Sequence, residues 1–186
     1  MVASKNPEKI REIHDVLVPI GIVDEIVEGL DWADVDESGD TLEANALLKA
    51  HAVCEVTGLP AIADDTGLEV DALGGAPGVH TARFAGPTAT YEENVSHMLS
   101  EMKGQSLRGA RFRTVVALVF PDGVEILAEG SVEGLITDSR RGEGGFGYDP
   151  IFEIGGLTLA EMGPETKNNL SHRARAIRSL AETMGM

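Results

Sequence analysis

The chain is 186 residues long, with 42% hydrophobic and 25% charged residues, the balance of a folded globular protein with one well-buried core. A formal net charge of −16 argues against broad contact with nucleic-acid phosphates, and the single cysteine, Cys54, excludes an internal disulfide and a cysteine-based metal site. No apolar run is long enough to cross a bilayer and the first residues lack a signal-peptide core, so one domain, of one or two lobes, is expected in the cytoplasm, away from membranes.

Residues 1–3 read as the stub of a first strand. Asn6 suits a helix N-cap and Pro7 the first helical position, and Ile10, Ile13 and Leu17 recur at helical spacing until Pro19. Backbone N–H groups free at such a start, with Ser4, Asn6 and Lys9 beside them, make a natural phosphate cradle, although many strand-to-helix turns share the pattern. An acidic connection, 31–40, then carries Asp34, Asp36 and Glu37. It reads either as a solvated loop or, folded over the end of the next strand, as part of an oxygen-only site for a hard cation such as Mg²⁺. Asp40 and Glu43 have capping-box spacing and open a helix that runs to Gly58, with Pro60 beyond; Asn45 and Lys49, four residues apart, share one of its faces.

The apolar run 61–63 reads as a short buried strand that ends at Asp64 and Asp65, with Thr66 and Gly67 as the following turn. Carboxylates at the end of a strand are well placed for chemistry, and strand pleating turns only one of the pair toward a given cleft. An acidic turn capping a helix has the same appearance. Gly74, Gly75 and Gly78 around Pro77 keep the next segment irregular.

Thr90 and Glu93 form a second capping box, ahead of a core stripe of Val95, Met98, Leu99 and Met102. The β-rich runs 112–120 and 124–132, joined by Pro121, Asp122 and Gly123, predict an antiparallel hairpin. In GEGGFGYDP, 142–150, four glycines let the backbone approach a ligand while aromatic rings offer faces for a base; a tight loop around a buried aromatic reads the same way. A last helical region runs from about 164 to 184, with Leu170, Ala174, Ile177 and Leu180 on one face. Lys167, His172 and Arg173, gathered there in so acidic a chain, suggest recognition of an anion or a carbonyl.

Carboxylates for a metal, a phosphate cradle with bases and an aromatic glycine-rich loop suit a nucleotide better than a sugar or a peptide. The chain has no GxxxxGK[ST], which argues against a P-loop kinase or ATPase, and shows no evident nucleophilic triad.

Five segments in order, SKNPEK, TLEANALLKA, PAIADDTGLEVDALGGAPG, GGFGYDPIF and KNNLSHR, resemble the successive motifs of the inosine/xanthosine triphosphate pyrophosphatase family, over essentially the whole chain. The resemblance implies an α/β fold of two lobes, a long mixed β-sheet flanked by helices with the nucleotide cleft between the lobes, usually as a homodimer. It implies Mg²⁺-dependent hydrolysis of ITP, dITP or XTP to the monophosphate and pyrophosphate. Carried over residue by residue, Ser4, Lys5, Asn6, Pro7, Glu8 and Lys9 hold the triphosphate and Lys49 supports the phosphates at the reacting end. Asp65 is the general base and contacts the metal together with Asp36, while Thr66 touches substrate. Phe146, Gly147, Tyr148 and Asp149 cover the base, and Lys167, Ser171, His172 and Arg173 recognise it. A 6-keto purine accepts hydrogen bonds at O6 and N7, which Arg173 and His172 can supply, whereas adenine would leave buried donors unpaired.

Three departures stand out. Ala44 occupies a position where the family commonly has an acid, Asp36 replaces a glutamate with Glu37 as the alternative ligand, and the first strand is short. A related pyrophosphatase for pyrimidine or modified nucleotides, and a nucleotide-binding regulator without catalysis, are the other readings left open.

Overall fold

The computed structural model describes residues 1–21, 23, 25–27 and 30–185. Its elements are α1 (Pro7–Ile20), α2 (Leu42–Thr57), β1 (Ala61–Val70), β2 (Pro77–Gly78), α3 (Tyr91–Glu101), β3 (Gly109–Val119), β4 (Glu125–Ile136), β5 (Phe152–Ile154), β6 (Leu157–Thr158), α4 (Pro164–Leu170) and α5 (His172–Thr183). The strands form one sheet in the order β2-β1-β3-β4-β5-β6. β2 with β1, β4 with β5 and β5 with β6 pair antiparallel, so the six-stranded sheet is antiparallel where a long mixed sheet was expected; the parallel contact of Val2 with Ile62 is an isolated bridge outside the six strands.

The chain divides into two compact units. The first comprises Met1–Asp65, Thr114–Ser131 and Ser171–Met186. Its core joins Ile13, Leu17, Ile62, Val116, Ile177 and Leu180, through which α1 and α5 pack together. Each such aliphatic side chain contributes roughly 1.5–3 kcal/mol by leaving water. The second unit comprises Thr66–Arg113 and Val132–Leu170. It closes around Leu68, Val70, Met98, Met102, Phe112, Ile151 and Phe152, with the rings of Phe112 and Phe152 4.6 Å apart.

Local chemistry explains most element boundaries. Asn6 caps α1, accepting from the N–H groups of Glu8 and Lys9, and Gly21 ends the helix in the left-handed region at φ 81°. The first-turn N–H groups of Glu8 and Lys9 are therefore bound to Asn6 Oδ1 rather than free. α2 starts one residue later than the sequence suggests: its cap is Thr41, whose hydroxyl accepts from Ala44 N–H, so Asp40 lies outside it. The expected capping box of Thr90 and Glu93 is present at α3, and Val95, Met98 and Met102 below it are buried.

Two further expectations are corrected. β1 does not stop at Asp64 and Asp65; it continues through Thr66 and Gly67 to Val70, burying Leu68 and Val70. Gly67 is in the strand because β2 runs against it, and a Cβ there would lie 3.0 Å from the Gly78 carbonyl oxygen. The acids are therefore mid-strand residues. The last helical region is two helices, because Ser171 turns out of α4 and caps α5 with its hydroxyl on Ala174 N–H.

Candidate active site

In the first unit, strand pleating gives the two adjacent acids separate partners. Asp64 accepts two hydrogen bonds on Oδ2 from Arg173, from Nε and Nη2 at 3.1 Å each, and pairs with Lys9 Nζ at 3.2 Å. Asp65 faces α2: Lys49 Nζ donates to its Oδ1 at 2.9 Å and Asn45 Nδ2 to its Oδ2 at 3.3 Å. The same Lys49 ammonium donates to Glu37 Oε1 at 2.9 Å. Asn45 and Lys49 meet Asp65 together because residues i and i+4 stand one above the other on a helix.

Charge and burial set these groups apart. Burial alone would raise Asp64, but Lys9, Arg173 and Lys49 together hold it well below the usual carboxylate range, so it is ionised at neutral pH. Burial also raises Asp65, and here Lys49 does not outweigh it, while the like charge of Glu37 adds to the rise. Asp65 is thus the carboxylate of the pair with the greater tendency to take a proton. Lys49 is raised despite its burial, by Asp65, Asp64 and Glu37, and stays charged.

A pocket of about 340 Å³ opens beside this centre, lined by Ser4, Lys5, Asn6, Lys9, Glu37, Lys49 and Asp64 among others. Lys5 also pairs with Asp34 at 2.7 Å at the exposed rim. Asp36, expected as a metal ligand, is exposed, and its neighbour Glu37 is the acid that reaches Lys49. Among the described residues no three His, Cys, Asp or Glu side chains gather as a ready-made cation site.

Ser171, His172 and Arg173 belong to the same unit. Ser171 serves as the α5 cap. Arg173 is only 2% exposed and its guanidinium is taken by Asp64 and Glu12, so it braces β1 against α1 within this unit. His172 shares a hydrogen bond through Nδ1 with the buried Thr114 hydroxyl. β4 approaches α5 so closely at Gly130 that a side chain there would strike the backbone of His172 and Ala176.

In the second unit, Asp149 Oδ2 accepts from Phe146 N–H and from Lys167 Nζ, both at 2.8 Å. Lys167 lies 4.8 Å from the centre of the Phe146 ring, and Tyr91 stands 6.0 Å from the same ring. Phe146 is half-buried, with Gly147 in the left-handed region at φ 61°. Tyr148 is buried, its hydroxyl donating to the Thr81 carbonyl, so this ring of the loop is structural. Thr66, half-buried, also falls in this unit.

Sequence reasoning missed four partners: Glu12 on Arg173, Thr114 on His172, Tyr91 beside Phe146, and Asn45 on Asp65. The spacing of Asn45 and Lys49 held a signal for the last. The others depend on residues far apart in the chain.

These features define an α/β protein with an acid–lysine centre beside a pocket of about 340 Å³ lined by both lysines and acids. The chain belongs to the Ham1 family, whose model matches residues 1–183, and the resemblance read from the five motifs is borne out. It is 48% identical to a dITP/XTP pyrophosphatase of Thermus thermophilus, covering 98% of this chain and 89% of that protein. With a dITP/XTP pyrophosphatase of Methylococcus capsulatus it shares 46% identity over 99% and 94% of the two chains. Among solved structures, a HAM1 protein from Coxiella burnetii superposes with a TM-score of 0.86 at 36% identity, covering 99% of this chain and 96% of that one. No helix among the described residues is long and apolar enough to cross a membrane.

Proposed function

We propose that this protein hydrolyses non-standard purine nucleoside triphosphates, ITP, dITP and XTP, to the nucleoside monophosphate and pyrophosphate. The observation that carries the reading is Lys49, whose ammonium holds Asp65 and Glu37 at 2.9 Å each beside a pocket that Lys5 and Lys9 also line. Relatives at 46–48% identity named dITP/XTP pyrophosphatase support the same reaction.

Asp65 takes the proton of an attacking water whose oxygen bonds to the α-phosphorus, as the bond from that phosphorus to the oxygen bridging to the β-phosphate breaks and pyrophosphate leaves. Burial favours this role, because it raises the basicity of Asp65 above that of an ordinary carboxylate. Lys49 and Lys9 offset the charge that develops on the phosphates. The donor set fits a divalent cation and favours Mg²⁺: Asp65 and Glu37 offer oxygen only and already converge on one positive centre. Asp65 and Glu37 would hold the cation, which would supply Lewis-acid stabilisation to the phosphates. Asp36 is the second candidate beside Glu37.

In the first unit Ser4, Lys5 and Asn6 hold the triphosphate with Lys9, and His172 has the chemistry to read a 6-keto edge; in the second, Phe146 with Asp149 and Lys167 has the chemistry to stack on a purine. Lys49 and Asp65 are the catalytic residues. The protein acts in the cytoplasm, on free nucleotides rather than nucleic acid, as a homodimer; exposed Leu107 and Leu135 beside one groove offer the apolar surface a second copy would cover. The test is product analysis with Mg²⁺ and ITP, XTP, GTP, ATP and UTP. Preferential release of pyrophosphate from ITP and XTP is expected; release of inorganic phosphate from ITP, or equal turnover of UTP, would overturn the reading.

A further inference from the structure

We infer that Asn45 is a positioning residue for Asp65, fixing the orientation of that carboxylate independently of Lys49. The inference rests on the reading of Asp65 as general base. Asn45 is completely buried, and both ends of its amide are in use. Its Oδ1 accepts from Gly39 N–H at 2.8 Å, which fixes the orientation of the amide and turns Nδ2 toward Asp65 Oδ2 at 3.3 Å. The neighbourhood is built around that contact: a Cβ at Gly39 would lie 2.7 Å from Asn45 Oδ1 and 2.8 Å from Ala44 Cβ, so only glycine lets the acidic connection come down on α2 here.

The circuit closes through Lys49. Two residues before Gly39, Glu37 binds the ammonium that also holds Asp65 Oδ1. Asp65 therefore has one partner on each oxygen, and the two differ in kind. Lys49 is charged and half-buried, lines the pocket and shares its ammonium between Asp65 and Glu37; Asn45 is neutral, buried and held from behind by the backbone. When the lysine turns to substrate, Asn45 remains as the donor that holds the carboxylate plane, leaving Oδ1 to face the attacking water.

Asn45→Asp keeps the acceptor for Gly39 N–H and replaces the neutral donor to Asp65 with a second carboxyl group against the same oxygen. It is expected to lower kcat for ITP about tenfold or more while KM changes less than about twofold, the split of an interaction that serves the reacting step. Asn45→Ala, which loses both contacts, should lower kcat further and also move the ¹³C signal of the Asp65 carboxyl, identified by its loss in Asp65→Asn. Should either variant fold poorly, Gly39→Ala reaches the same contact by pushing Asn45 Oδ1 aside, and its loss of kcat should be non-additive with that of Asn45→Ala. An unchanged kcat in Asn45→Asp, an unmoved carboxyl signal in Asn45→Ala, or losses that simply add with Gly39→Ala would overturn the inference. If the unmodified protein released no pyrophosphate from any triphosphate, the functional reading would fail instead, and the carboxyl signal alone would still decide whether Asn45 holds Asp65.

Discussion

Arg173 meets Asp64 through two nitrogens on a single carboxylate oxygen, Nε and Nη2 each 3.1 Å from Oδ2, in a position where both side chains are almost wholly buried. Glu12 takes a further nitrogen of the same guanidinium. Burying such charges is unfavourable unless they are paired, so removing one partner leaves the other exposed to the full desolvation cost.

Asp64→Asn should therefore destabilise the fold by about 3 kcal/mol, measured by urea unfolding at neutral pH. The sign of the pH dependence follows from the depressed value of Asp64. Its pairing stabilises the protein above the unfolded-state value of 3.8 and is lost as pH falls below it, through the folded-state value. Stability of the unmodified protein should fall steeply on acidification through that window, and the Asn variant should lack this part of the slope.

Lys49→Met removes the ammonium shared by Asp65 and Glu37. Steady-state kinetics with ITP should show kcat lowered by about 100-fold, with KM raised as well, since the lysine also meets the ground-state phosphates. Asp65 loses a cation that lowers its pKa, so the acid limb of kcat/KM should move to higher pH.

Much of this centre is legible in the amino-acid sequence alone. Asn6, Thr90 and Glu93 cap helices as their spacing implies, and the i, i+4 relation of Asn45 and Lys49 places both on Asp65. The illegible part is tertiary. Thr66 and Gly67 look like a turn, but the two residues of β2 draw them into the strand, and nothing nearby in sequence announces that pairing. Ser171 looks like an interior residue of a long helix until its hydroxyl is seen to take Ala174 N–H. Arg173 carries the chemistry of a base reader, yet Asp64 and Glu12, 109 and 161 residues away, occupy its guanidinium.

Thr114→Val tests the role of His172. The shape is nearly kept but the hydroxyl on Nδ1 is lost, so the ring is no longer held in one tautomer and orientation. Preference for ITP over ATP, as a ratio of kcat/KM values, should fall roughly tenfold, with a stability loss of about 1 kcal/mol.

Lys167→Met leaves Asp149 with the Phe146 N–H but without its ammonium, and removes the cation beside the Phe146 ring. KM for ITP should rise about tenfold while kcat changes less, because base contacts act alike in the ground and transition states.

The most direct measurement compares ITP binding by calorimetry with pyrophosphate release in Asp65→Asn. The amide preserves the shape of the side chain and can keep a hydrogen bond, but it cannot take the proton of water. The account predicts that ITP still binds within a few-fold of the unmodified affinity while turnover falls by at least about 100-fold. Turnover that survives with binding intact would contradict it, and would require a base other than Asp65.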